Sequence, residues 1–141
     1  MESKLIQYYK KWFLRQYPGA FFYKIPDGWA ETKDGHRYGS NRPFDVVAIV
    51  NGKTYVKEFK FQHGGITFNV NAHLKKHQLE SLLLAQKAGA KASVVLGWIP
   101  SMKVMMKHHI CPDKMVMVEW NLEEIIGKDK LSIIDKTLKG K

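Results

Sequence analysis

"FDVVAIVNGKTYVKEFKFQ", residues 44–62, reads as two β-strands joined by a tight turn. Residues 44–50 and 53–62 are rich in β-branched and aromatic types, and Asn51-Gly52 is the dipeptide favoured in two-residue hairpins. Such a turn pairs Val50 with Lys53, which sets Asp45 opposite Glu58. Opposed residues share a face, with Cβ atoms about 4.5–5.5 Å apart. Lys60 lies two residues beyond Glu58 and points the same way. Asp45, Glu58 and Lys60 therefore cluster at one end of a face otherwise filled by Val47, Ile49 and Val56. The opposite face carries Phe44, Val46, Ala48, Tyr55 and Phe59, with Lys57 its one charge.

Charges inside a strand built for burial are paired, bind a metal or take part in chemistry. Two facing carboxylates repel in a low dielectric, and a divalent cation such as Mg²⁺ offsets that repulsion with oxygen ligands. Lys60 would then stabilise charge developing on a phosphate or orient a water. The alternative is a salt-bridged triad in which Lys60 only neutralises the two acids. A bulge would shift the register on which both readings rest.

The chain has 141 residues, 45% of them hydrophobic, which suits a single domain over 1–141 with its own core. Lys and Arg outnumber Asp and Glu by 23 to 13, and the net charge of +10 favours a polyanionic partner such as nucleic acid. No apolar run approaches the roughly 20 residues of a membrane span, and the first residues lack a signal peptide's apolar stretch. Cys111 is the single cysteine. No internal disulfide is possible, and a cytoplasmic setting is expected.

Around the hairpin, residues 2–17 read as an amphipathic helix with Leu5, Tyr9, Trp12, Phe13 and Gln16 on one stripe, stopped by Pro18-Gly19. Residues 20–25 read as a strand and 26–42 as a long polar loop. Residues 71–88 read as one helix with Asn71 as N-cap, an apolar stripe of Leu74, Leu79, Leu82 and Leu83, and Gly89 as its stop. Strands are expected at 91–98, 102–106 and 115–120. Asn121 with Glu124 suggests a capping box for a C-terminal helix. The methionines at 102, 105, 106, 115 and 117 suit a core or a subunit interface. This order predicts an α/β fold, a mixed central sheet with helices on both faces.

Taken together, "RPFDVVAIVNGKTYVKEFKF" (42–61) resembles the core of the PD-(D/E)XK nucleases, with Pro43-Phe44-Asp45, a hairpin, then Glu58-Phe59-Lys60. The flanks "FFYKIPDGW" and "HLKKHQLESLLLAQKAGAKASVVLGW" are similar to Holliday junction resolvases of the archaeal Hjc type and of the phage and bacterial RecU type. The resemblance spans residues 2–98 and implies a restriction-endonuclease-like fold. It also implies Mg²⁺- or Mn²⁺-dependent hydrolysis of DNA, leaving a 5′-phosphate and a 3′-hydroxyl.

The resemblance makes Asp45, Glu58 and the Phe59 backbone carbonyl the metal ligands, and Lys60 the catalytic lysine. Glu2 is the candidate for the first-helix glutamate of such resolvases, or else an acid placed for the helix dipole. Gln78 matches a glutamine that holds a water or phosphate, or else is a half-buried helix amide. Ser40 stands near the archaeal type's loop serine but reads as an ordinary loop residue. Pro43 stands where the RecU type tends to carry threonine, which leaves the subfamily open.

Lys75, Lys76 and His77 beside Gln78, with Arg37 and Arg42 flanking the long loop, are candidate phosphate contacts. The partner expected is a four-way DNA junction, cut by a two-fold dimer. No H-E-x-x-H, C-x-x-C, Walker or G-x-S-x-G motif occurs, so zinc, nucleotide-cofactor and serine chemistry are not expected. The rivals are another nuclease of this fold, restriction-type or VRR-NUC-like, and a non-catalytic nucleic-acid-binding protein.

Overall fold

The Asn51-Gly52 turn forms as its sequence demands. Both residues have positive φ, 49° and 80°, the conformation that matches the twist of a two-residue hairpin. It joins β4 (Val46–Val50) to β5 (Lys53–His63) in the expected register, from Val50↔Lys53 to Val46↔Lys57. The computed structural model describes residues 2–26, 28–31, 37–40, 42–112 and 114–139; for 28–31, 37–40 and 138–139 it describes the backbone alone.

The hairpin is the middle of a five-stranded sheet. Its order is β1 (Phe21–Lys24), β4, β5, β7 (Lys91–Ile99), β8 (Val116–Asn121). β5 and β7 run parallel and the other neighbours antiparallel, so the sheet is mixed. The β5–β7 crossover carries a helix, as a parallel pair requires.

One face is covered by α1 (Glu2–Gln16), whose buried residues Leu5, Ile6, Tyr9 and Phe13 pack on Val46, Ala48, Phe59 and Val95. Gly97 permits the close approach of this helix. A Cβ there would stand 2.9 Å from Met115 Sδ and 3.0 Å from Leu5 Cδ1. The other face packs Val56, Val94, Leu96 and Trp120 against α3 (Lys76–Lys87), α5 (Leu122–Ile125) and α6 (Ile133–Lys139), through Leu82, Ile125 and Ile133. Helices on both faces of a mixed sheet are the architecture expected from the order of elements.

Several local expectations fail. The helix expected over 71–88 is two: α2 (Val70–His73) and α3, separated by Leu74 and Lys75 in extended conformation. Asn71 lies inside α2, and the second helix starts where Gln78 can accept the Lys75 N–H (3.0 Å). The expected strand 102–106 is a helix, α4 (Met102–His108), capped by Ser101, whose Oγ accepts the Val104 N–H at 3.3 Å. Met and Lys are good helix formers, and the cap outweighs the apparent alternation. Of the methionines, Met102 and Met106 are exposed, as is much of Met117.

The loop expected over 26–42 contains a short antiparallel pair, β2 (Gly28–Glu31) with β3 (Arg37–Ser40). The C-terminal capping box forms in half, Asn121 N–H donating to Glu124 at 3.2 Å. The helix it opens is a single turn, followed by β9 (Lys130–Ser132), which pairs with β6 (Thr67–Asn69), and then α6. Among the described residues, no helix is long and apolar enough to cross a membrane.

Candidate active site

The regular β4–β5 ladder ends at Val46↔Lys57. One step further, a continued ladder would offer the Phe44 carbonyl to the Phe59 N–H. The Asp45 carboxylate takes that place instead, accepting the Phe59 N–H at 2.8 Å, while the Asp45 N–H donates to the Lys57 carbonyl at 3.1 Å. The Asp45 carbonyl accepts the Ile25 N–H at 2.8 Å. This departure from the strand turns Phe44 to the α3 side, where it packs beside Val47. The sequence pattern had set Phe44 on the opposite face. Ile49 is on the expected face but 41% exposed.

Asp45 and Glu58 are both buried, at 4% and 3% exposure, and the Asp45 carboxylate acts on the Glu58 carboxyl. Burial first, then the facing Asp45 charge, pushes the Glu58 carboxyl up to about 8, while Lys60 and Arg42 pull it down. Lys60 Nζ lies 3.8 Å from Glu58 Oε1. Gln78 Nε2 donates to the same oxygen at 3.1 Å. Gln78 thus does two things from the first turn of α3: it caps the helix through Oε1 and holds Glu58 through Nε2.

Glu2, on the first turn of α1, completes the acidic surroundings. Burial raises its carboxyl, and the charges of Lys60, Asp45 and Arg42 act on it. The hairpin, α1 and α3 therefore bring Asp45, Glu58, Lys60, Gln78 and Glu2 into one region, with the Phe59 backbone between the two strand acids. Among the described residues no three His, Cys, Asp or Glu side chains converge on one point. The centre is a carboxylate pair.

The basic candidates divide. Arg42 grips the site itself, with Nη2 3.1 Å from Asp45 Oδ1 and Nη1 donating to the Ile25 carbonyl at 3.1 Å. Lys75 and Lys76 are exposed at the start of α3, Lys76 lying 3.9 Å from Glu80, and His77 is half-buried. Arg37 and Ser40 lie on β3, their side chains outside the described residues.

Two groups escaped the sequence reading. His73 stacks on Phe68 (4.7 Å, 11°), and burial, then the Lys60 charge, lowers its pKa. The β6–β9 pairing that seats this segment joins residues far apart in the chain and leaves no local signal. The second group answers why Lys57 sits in a strand. Its ammonium donates to Glu119 (2.6 Å) and Ser93 (3.2 Å) and lies over the rings of Tyr9, Phe13 and Tyr55. It is a structural ion pair on the α1 side, away from the carboxylate pair.

No family model matches the chain, and no curated protein matches it. Among solved structures, it is similar to Hjc, a Holliday junction resolvase from the archaeal hyperthermophile Archaeoglobus fulgidus. The TM-score is 0.56 at 15% identity, over 96% of this chain and 92% of that one. A second structure, SSO0001, aligns with 99% of this chain and 59% of its own at 14% identity, but its TM-score of 0.31 is too low to inform the fold. The resemblance to resolvases read in the sequence holds at the level of the fold, over nearly the whole chain.

Proposed function

We propose that this chain is a metal-dependent DNA endonuclease that resolves four-way junctions. The observation that carries the reading is the buried Asp45–Glu58 pair, with Lys60 and Gln78 on one of its oxygens. Two facing buried carboxylates repel each other, and the raised Glu58 expresses that cost. The donor set is all oxygen and suits Mg²⁺ or Mn²⁺: Asp45, Glu58 and the Phe59 carbonyl, with water and a phosphate oxygen for the rest. When bound, the cation supplies a water of lowered pKa and polarises the phosphate.

The chain's own residues prepare that chemistry. Arg42 and the Phe59 N–H fix Asp45, and Gln78 fixes Glu58. Lys60 is placed to orient the attacking water or to stabilise the negative charge that grows on the phosphate. Glu2 brings a further carboxylate from α1. Lys75 just before α3, with Lys76 and His77 on its first turn, extends the basic surface beside the carboxylates, which suits phosphate contact. A junction requires two symmetric cuts, so the working form is expected to be a homodimer. Recognition is expected to follow shape and phosphates more than base sequence.

The test is a labelled synthetic junction incubated with and without Mg²⁺, beside a flap and a linear duplex. Mg²⁺-dependent paired cuts in the junction alone are the expected result. Equal cutting of linear duplex points to a restriction-type activity. Salt-sensitive binding with no cutting leaves only a binding protein.

A further inference from the structure

The outward side of α1 carries a second surface that the carboxylate site does not use. Tyr8, Lys11, Trp12 and Arg15 follow the i, i+3, i+4, i+7 spacing of one helix stripe. They line a cleft of about 240 Å³ closed on its far side by Lys114 and Met117, at the entry to β8. Trp12 and Met117 also border a deeper cavity of about 260 Å³ that reaches Glu119. Trp12 is 39% exposed, and its ring meets Tyr9 at 5.3 Å. Lys114 Nζ lies 4.7 Å from the centre of the Tyr8 ring, and Arg15 Nε donates to the Lys11 carbonyl at 3.4 Å. Among the described residues, its lining carries three cations, Lys11, Arg15 and Lys114.

An aromatic platform between cations is the chemistry that binds single-stranded nucleic acid: the ring stacks a base, and the cations track the backbone. A duplex presents phosphates on a convex rod and would leave Trp12 unused. The net charge of +10 favours a polyanion here over a second copy of the same basic chain. We propose that this cleft binds an unstacked nucleotide of single-stranded DNA, with its base on Trp12 and its phosphates against Lys11, Arg15 and Lys114. Trp12 stands ten residues from Glu2, about 15 Å along the helix at 1.5 Å per residue. The cleft is therefore separate from the carboxylate pair, and its occupancy does not depend on cleavage.

The test uses the whole chain in EDTA and a short fluorescent oligothymidylate, read by anisotropy. Trp12→Ala should weaken binding about tenfold, the loss of one stacked base. Trp12→Phe should retain most of the affinity. Lys11→Ala with Arg15→Ala should weaken binding and flatten its salt dependence. The assay runs in EDTA, where metal-dependent cleavage does not occur, so that failure here is distinct from failure of the cleavage reading. Photocrosslinking with 5-iododeoxyuridine should mark Tyr8 or Trp12.

Unaltered binding in both Trp12→Ala and the Lys11/Arg15 double variant, each with native melting, overturns the proposal. So do crosslinks confined to residues 42–78. A change in sedimentation of Trp12→Ala without a change in oligonucleotide binding also overturns it, since the face would then be a contact between copies.

Discussion

Lys57 and Lys60 lie three residues apart on β5 and face opposite sides of the sheet. On the α1 side, Lys57 is 4% exposed, and every charge around it is matched. Glu119 accepts from Lys57 (2.6 Å), Tyr9 (2.7 Å) and Ser93 (2.6 Å), and three aromatic rings surround the ammonium. On the α3 side, Lys60 stands 3.8 Å from Glu58, one of two facing carboxylates, and Glu58 is pushed up to about 8. The same strand thus carries a saturated ion pair and an unsaturated acidic pair. Saturation is the mark of a structural group, since it leaves nothing for a ligand to supply. A raised carboxyl facing a second carboxylate, both held in place by Arg42, Gln78 and a backbone N–H, is the arrangement that gains from a cation and a phosphate.

The largest effects should separate the two sides. Glu58→Gln and Asp45→Asn are expected to lower single-turnover junction cleavage by about 10³-fold, the loss of several kcal/mol of charge stabilisation, while binding persists. Lys60→Met is expected to lower cleavage by about 10²-fold with a small change in melting temperature. Lys57→Met should do the reverse: stability falls by about 3 kcal/mol in urea titration, and cleavage per folded molecule stays within a few-fold. Lys57→Met combined with Glu119→Gln should recover much of that loss, because no unpaired charge is left. If Lys57→Met abolishes cleavage in the folded protein, the division between the faces is wrong.

The hairpin, α1, β7, β8 and the carboxylate pair were legible because their signals are local. They are an Asn-Gly turn, a helical stripe, an apolar run, and two acids that the turn brings to the same end of the hairpin, although the regular ladder ends before Asp45. The role of Lys57 was not legible, because its partner Glu119 is 62 positions away and arrives through the β7–β8 pairing. Nor was the break at Leu74 and Lys75, since the leucine pattern reads through it. The break is what puts Gln78 on the first turn of α3 and within reach of Glu58. The β6–β9 pair, which seats His73, joins segments with no shared pattern at all. Long-range pairing, not propensity, decided each of these.

The pH dependence of stability tests the unsaturated side alone. A carboxyl raised to about 8 in the folded protein keeps a proton that the unfolded chain releases near its ordinary value of 4.5. The unfolded state then binds fewer protons, so stability falls as pH rises between those values. In EDTA, the melting temperature of the parent relative to Glu58→Gln should decline from about pH 5 to about pH 8, an effect of a few kcal/mol at most. Mg²⁺ should reduce the decline by replacing the proton. A flat difference across that range would place Glu58 among ordinary carboxylates and remove the main electrostatic reason for a cation.

The smallest effect is expected on the saturated side. Burial and the Glu119 carboxylate raise the pKa of the Tyr9 phenol, which keeps it a hydrogen-bond donor. Tyr9→Phe removes that donor but leaves Lys57 and Ser93 on Glu119. The Glu119 side chain is 27% exposed, so water can take the vacated position. The cost should be about 1 kcal/mol in urea titration, the low end for a bond to a charged group, with cleavage unaltered. A loss of 3 kcal/mol would mean that the pair depends on each of its members. A loss of cleavage in folded Tyr9→Phe would mean that the network also fixes α1, and with it Glu2, for the chemistry on the other face.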